Sequence, residues 1–169
     1  MISQPSRQCT VELQALPSRI GQVRRIVSAQ LRYWHLDPLI DRAALGVTEL
    51  LTNVHRHAEP DKLCTVDIEL LLDRLVVSVH DHDPRLPEVR DVEAFETCGR
   101  GLAMVAAVSE SWGVRPEGEA GKVVWFTLAA PSPTVDLPTY PAYHAASARS
   151  LVTTTPVRAH APARSAVPG

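Results

Sequence analysis

Glu49 and Asn53 stand four residues apart in the segment Glu49-Leu50-Leu51-Thr52-Asn53-Val54-His55-Arg56-His57-Ala58. In a helix that spacing puts the carboxylate and the carboxamide on one face, one turn above the other. Arg56 and His57 fall close to the same stripe, and the apolar residues lie roughly opposite. Magnesium takes oxygen ligands and keeps several waters, so one protein oxygen plus substrate phosphates can complete its shell. Asn53 can give that oxygen without adding charge. Glu49, one turn earlier, can accept a proton from an attacking hydroxyl or water.

A second group lies some forty residues on, in Gly99-Arg100-Gly101-Leu102-Ala103-Met104-Val105. Here two glycines and an arginine precede an apolar run at helical spacing. Unpaired amides at a helix start attract anions, and glycine lets phosphate come close. Arg100 adds a guanidinium fork suited to phosphate oxygens. No GxxxxGK[ST] loop and no strand-linked GxGxxG occurs, so the classical nucleotide loops are excluded. Read together, the two segments point to a nucleoside triphosphate site. Between them, Asp81 closes an apolar strand, where a carboxylate at a pocket mouth could accept a hydrogen bond from an exocyclic amine.

Each feature also has a plainer reading. Glu49 and Asn53 could sit on a solvated helix face, the glycines could form a simple turn, and Asp81 before Pro84 could be a turn former. His55 and His57 point to different faces of a helix and make poor co-ligands. His80 and His82 could share a strand face, but scattered histidines seldom make a metal site.

The elements needed to hold these residues are legible. Residues 10–16 alternate as a strand. Pro17-Ser18 opens a helix with apolar Ile20, Val23, Val27, Leu31 and Trp34 at spacings of three and four. Asp37-Pro38 breaks it and starts a second helix, with Ile40, Ala43, Ala44, Val47, Leu51, Val54 and Ala58 on one face, ending near Glu59-Pro60. Residues 64–70 and 75–79 form a hairpin through Leu71–Arg74. Pro84 and Pro87 prevent any continuation. A third helix is expected over 101–108, and two last strands over 112–114 and 122–128, joined by the Gly118–Gly121 turn. Three helices and about five mostly antiparallel strands predict an α+β fold, a two-layer sandwich with the helices on one face of the sheet.

The chain has 169 residues, enough for one domain with a sizeable core. Its domain is expected over 10–130, after a short extension at 1–9. Seven of the 14 prolines fall in 131–169 among Ala, Ser and Thr, so that tail is expected to be disordered. The net charge of -2 gives no reason to expect direct contact with nucleic acid. Three scattered cysteines without a CxxC pair suggest free thiols in a reducing compartment. With no basic-then-apolar leader and no apolar run near the roughly 20 residues of a membrane span, a cytoplasmic protein without membrane contact is expected.

The three elements in this order resemble the gyrase, chaperone, histidine kinase and MutL ATPase superfamily, the Bergerat fold. Glu49 to Ala58 is similar to its N box, Asp81 to the aspartate of its G1 box, and Gly99-Arg100-Gly101-Leu102 to its G2 box. Within the superfamily the layout resembles the bacterial anti-sigma factor/serine kinases, over roughly residues 10–129. The resemblance implies ATP and Mg2+ as cofactors. It implies Glu49 as general base, Asn53 as the magnesium ligand and Asp81 as the reader of the adenine amine. It implies Gly99, Arg100, Gly101 and Leu102 at the phosphates, Arg100 also assisting transfer, and His57 lining the phosphate side. The function implied is an ATP-binding regulator that sequesters a sigma factor and acts as a serine/threonine protein kinase on an anti-anti-sigma (STAS-type) antagonist. A homodimer is implied, with contacts to the sigma factor through the first strand and helix, where Arg24 and Arg25 are candidates.

One departure stands out. The superfamily's G1 box usually reads Asp-x-Gly-x-Gly, whereas this chain has Asp81-His82-Asp83-Pro84-Arg85. Both glycines are missing, and with them the freedom for positive φ and close approach to a nucleotide. The segment 83–98 would be a short lid over the site. A catalytically weak or inactive ATP-binding or protein-interaction module is therefore the alternative.

Overall fold

A computed structural model describes residues 7–87 and 100–131. Gly99, Cys98, most of the expected lid and nearly all of the Pro/Ala/Ser-rich tail lie outside the described residues. The chain runs β1 (Arg7–Gln14), α1 (Pro17–Tyr33), a 3-10 turn (Asp37–Leu39), α2 (Ile40–His57), β2 (Leu63–Leu70), β3 (Arg74–Asp81), α3 (Arg100–Val108), β4 (Ser111–Pro116) and β5 (Lys122–Ala129). The strands form one sheet in the order β1-β2-β3-β5-β4, every neighbouring pair antiparallel. The α+β reading from the sequence holds.

Several boundaries differ from expectation, as where β4 runs on to Pro116 instead of ending at Val114. β1 starts at Arg7, three residues before the alternating run, because pairing with β2 extends to Arg7 opposite Leu70. β3 continues to Asp81, two residues past the apolar stretch, because Asp81 lies between Cys64 and Lys122 in the ladder. Hydrogen bonding by both neighbours carries a strand beyond the point where its apolar pattern stops.

Pro17 stands in the first turn of α1, where its missing N–H loses nothing. Ile20, Val23, Val27 and Leu31 all become buried, as their spacing requires. His35 takes a left-handed conformation (φ 59°) after the helix, and the 3-10 turn leads into α2. α2 packs against α1, α3 and the sheet, so its buried set is wider than one stripe. Gly46 and Leu50 join Ala43, Val47, Leu51 and Val54.

The core lies between the helices and the covered sheet face, around Phe126, Ile68, Leu75, Leu128, Leu31 and Leu51. Each such side chain contributes about 1.5–3 kcal/mol on burial. Phe126 fixes the depth of α2, because a Cβ at Gly46 would overlap its ring. Among the described residues no helix is long and apolar enough to cross a membrane. Gly46→Ala should therefore destabilise the fold by about 1–3 kcal/mol through overpacking, as measured by urea unfolding.

Candidate functional site

The C-terminal half of α2 and the first turns of α3 meet along one seam. A Cβ built on Gly101 would lie 3.1 Å from Glu49 Oε2 and 3.1 Å from Asn53 Oδ1. A side chain there would press on both oxygens unless Glu49 and Asn53 shifted by a few tenths of an ångström, and glycine spares them that shift. Glu49, Thr52, Asn53, Arg56 and His57 from α2 line a cleft of about 300 Å³ with Arg100, Gly101 and Met104 from α3. Glu49, Thr52 and Asn53 are half-buried, while Arg56, His57, Arg100 and Met104 are exposed at the rim.

The donor set has a clear polarity. One carboxylate and one carboxamide lie deepest, and two guanidinium groups and an imidazole surround them. Two arginines against one carboxylate favour an anionic occupant, and both can form paired hydrogen bonds to phosphate oxygens. Asn53 Oδ1 and Glu49 Oε2, both against Gly101, suit a hard cation carried in on phosphates. This end of the site fits magnesium and a polyphosphate.

Glu49, Asn53, His57, Arg100 and Gly101 are thus brought together in one cleft. Gly99 lies outside the described residues. Leu102 puts its side chain into the hydrophobic core, 7% exposed, so only its backbone is left for a ligand. Asp81 is not among the residues lining the cleft. Expected at a pocket mouth, it is instead 3% exposed. Its Oδ1 accepts hydrogen bonds from Lys122 Nζ at 2.9 Å and from the Asp83 N–H at 2.9 Å. The plainer turn-forming reading of Asp81 is realised, because its carboxylate closes the turn two residues on.

The residues in place of the two glycines make a second ionic group. Asp83, also 3% exposed, takes Arg85 in a fork, with Nη2 at 2.6 Å from Oδ2 and Nε at 3.0 Å from Oδ1. Asp83 further accepts the N–H groups of Glu59 at 3.0 Å and Arg85 at 2.9 Å. Arg85 reaches back to the His57 carbonyl at 2.9 Å. The loop is thereby tied to the C-terminal end of α2 at His57, a residue that lines the cleft. The Arg85 guanidinium and the converging N–H groups hold the Asp83 carboxyl well below the usual carboxylate range.

Sequence reasoning missed Lys122, and a signal for it existed. It is the one charged residue of the strand Lys-Val-Val-Trp-Phe-Thr-Leu-Ala, and a buried lysine needs an anion. Cys64 lies opposite Asp81 in the ladder, and burial together with that carboxylate pushes its thiol up to about 12. It stays protonated and supplies no nucleophile. His80 and His82 do meet, with ring centroids 5.7 Å apart, but each pairs with its own acid, Glu117 and Asp61. Among the described residues no cluster of three or more such side chains could hold a metal.

Comparison with known proteins agrees with this geometry. A family model described as a histidine kinase-like ATPase domain matches residues 13–128. The chain is also similar to the crystal structure of the RsbU and RsbW domains of Rv1364c from Mycobacterium tuberculosis. The TM-score is 0.54 at 19% identity, over 74% of this chain and 33% of that one. The chain thus corresponds to about a third of that protein, and the likeness is one of fold. No curated protein is matched.

The Asp83 ion pair has a pH signature. A carboxyl held lower in the folded chain than in the unfolded one adds stability that is complete above about pH 4 and fades as pH falls below it. Urea unfolding of wild type and Asp83→Asn at a series of pH values should therefore give a gap that is widest near neutrality. That gap should narrow steadily below about pH 4.

Proposed function

The chain belongs to the family of histidine kinase-like ATPase domains, and from that premise we propose that it is an ATP-binding regulatory protein with phosphoryl-transfer chemistry. The observation that carries the reading is the contact of Gly101 with Glu49 and Asn53, which joins a proton acceptor, a neutral oxygen ligand and the first turn of α3 in one cleft. When bound, Mg-ATP supplies an activated phosphoryl group and the counter-charge to its oxygens.

The chain's own residues then divide the work. Asn53 would hold the magnesium through Oδ1. Glu49 would accept the proton of an attacking serine or threonine hydroxyl. Arg100, with Gly101 and Gly99, would hold phosphate oxygens and stabilise the charge that moves between them. His57 and Arg56 stand at the rim, where further phosphate contacts are available. The motif resemblance to anti-sigma factor/serine kinases supports a STAS-type anti-anti-sigma protein as the acceptor and a sigma factor as the sequestered partner. Exposed Arg24 and Arg25 on α1 suit an acidic partner surface. A homodimer, a cytoplasmic location and a single domain over 10–130 with a separate tail belong to the same reading.

A second reading, a binding module without transfer activity, is favoured by one observation. The G1 segment is filled by the Asp83–Arg85 pair where the superfamily has glycines.

Incubation of the full chain with ATP radiolabelled on the γ-phosphate and a STAS-type antagonist tests the first reading. Transfer to the antagonist should fall about 100-fold or more in Glu49→Ala, since a positioned base contributes about that much. Equal labelling by both proteins removes Glu49 from the role of base. No labelling by wild type, together with calorimetric binding of Mg-ATP, selects the binding module. In the same titrations Asn53→Ala should abolish most of the magnesium dependence of ATP affinity.

A further inference from the structure

A helix ends with carbonyls that no further turn can reach. His57 is the last residue of α2, and it lines the cleft together with Asn53 and Arg100. The chain leaves the helix at Ala58, whose backbone is extended. Left alone, such a turn frays, and a side chain on it has no fixed aim.

Here the turn is held from the loop after β3. Arg85 Nη2 donates to the His57 carbonyl at 2.9 Å and to Asp83 Oδ2 at 2.6 Å. The same Oδ2 accepts the Glu59 N–H at 3.0 Å. The pair thus offers a donor to the backbone on one side of Ala58 and an acceptor on the other. Asp83 Oδ1 accepts the Arg85 N–H at 2.9 Å and Arg85 Nε at 3.0 Å. With Asp83 at 3% exposed and a planar guanidinium spanning both its oxygens, this is a built clamp rather than a surface ion pair. Lys62 Nζ donates to the next carbonyl, that of Ala58, at 2.6 Å, so two cations meet the negative end of the α2 dipole.

Neither Asp83 nor Arg85 lines the cleft, whereas His57, whose carbonyl Arg85 holds, does. Groups that bind a ligand must be held within about 0.5 Å of their productive place. Resting on the reading that this cleft holds a magnesium nucleotide, we propose that Arg85, braced by Asp83, is a positioning residue for His57. It fixes the last turn of α2 so that the His57 imidazole meets phosphate oxygens in one place. The charged residues at positions where glycine is implied thereby serve phosphate binding from outside the cleft.

The test is a double-mutant cycle, read by calorimetric titration of the full chain with Mg-ATP. Arg85→Met should weaken binding about five-fold or more, and His57→Ala about ten-fold. With His57→Ala already present, Arg85→Met should weaken binding by less than about two-fold, because the group it positions is gone. An equal loss from Arg85→Met with and without the imidazole is that of general structural support and overturns the proposal. Wild-type affinity in Arg85→Met overturns it too. Either result leaves the proposed function standing, whereas no binding of Mg-ATP by wild type sinks both. Asp83→Asn combined with Arg85→Met strands no buried anion, and it repeats the cycle should the single variant not fold. One measurement needs no variant. Hydrogen exchange of wild type should show the Glu59 N–H slowed about 100-fold or more against an unstructured chain. Exchange at the unstructured rate removes the clamp and overturns the proposal.

Discussion

The approach of Gly101 to Glu49 and Asn53 is the contact on which the rest of the site depends. It requires two helices from distant parts of the sequence to touch at a point where one has no side chain. Any Cβ at that point would press on the carboxylate and the carboxamide. With glycine there, the first turn of α3, a proton acceptor and an oxygen ligand share one cleft, and the arginines at its rim bias it toward anions. The chemistry is thus set by an absence of atoms at one position and by the packing that brings α3 to it.

That packing is set from below. α2 is buried against α1, α3 and the sheet, and the ring of Phe126 fills the space that a side chain at Gly46 would need. Two glycines, one facing the core and one facing α2, thereby fix the height of α2 over the sheet and the position of α3 beside α2. Interiors are close-packed, so small changes at either contact are transmitted rather than absorbed. The half-buried polar face of α2 is held rigid by the apolar residues behind it.

The loop after β3 carries charge at positions where the G1-box resemblance implies glycine. Lys122 joins Asp81 to the Asp83 carbonyl, and Arg85 joins Asp83 to the end of α2. Buried ion pairs of this kind add little net stability over apolar packing, but removing one partner alone is severe. Their effect is to hold a single loop conformation beside the cleft. A glycine loop can adjust to its ligand, whereas this one already satisfies its polar groups internally.

The sequence by itself determined the elements and the polar stripe of the cleft. Helical spacing put Glu49 and Asn53 on one face, and alternation marked the strands, because both periods are local properties of the backbone. The first and third helices, the 71–74 turn and the α+β class could all be read this way. Only the tertiary structure decided that β5 lies between β3 and β4, since pairing across the sheet is non-local. That placement sets Lys122 against Asp81 as an internal ion pair. A buried charge chooses its partner through space, and no spacing along the chain records which anion it will meet.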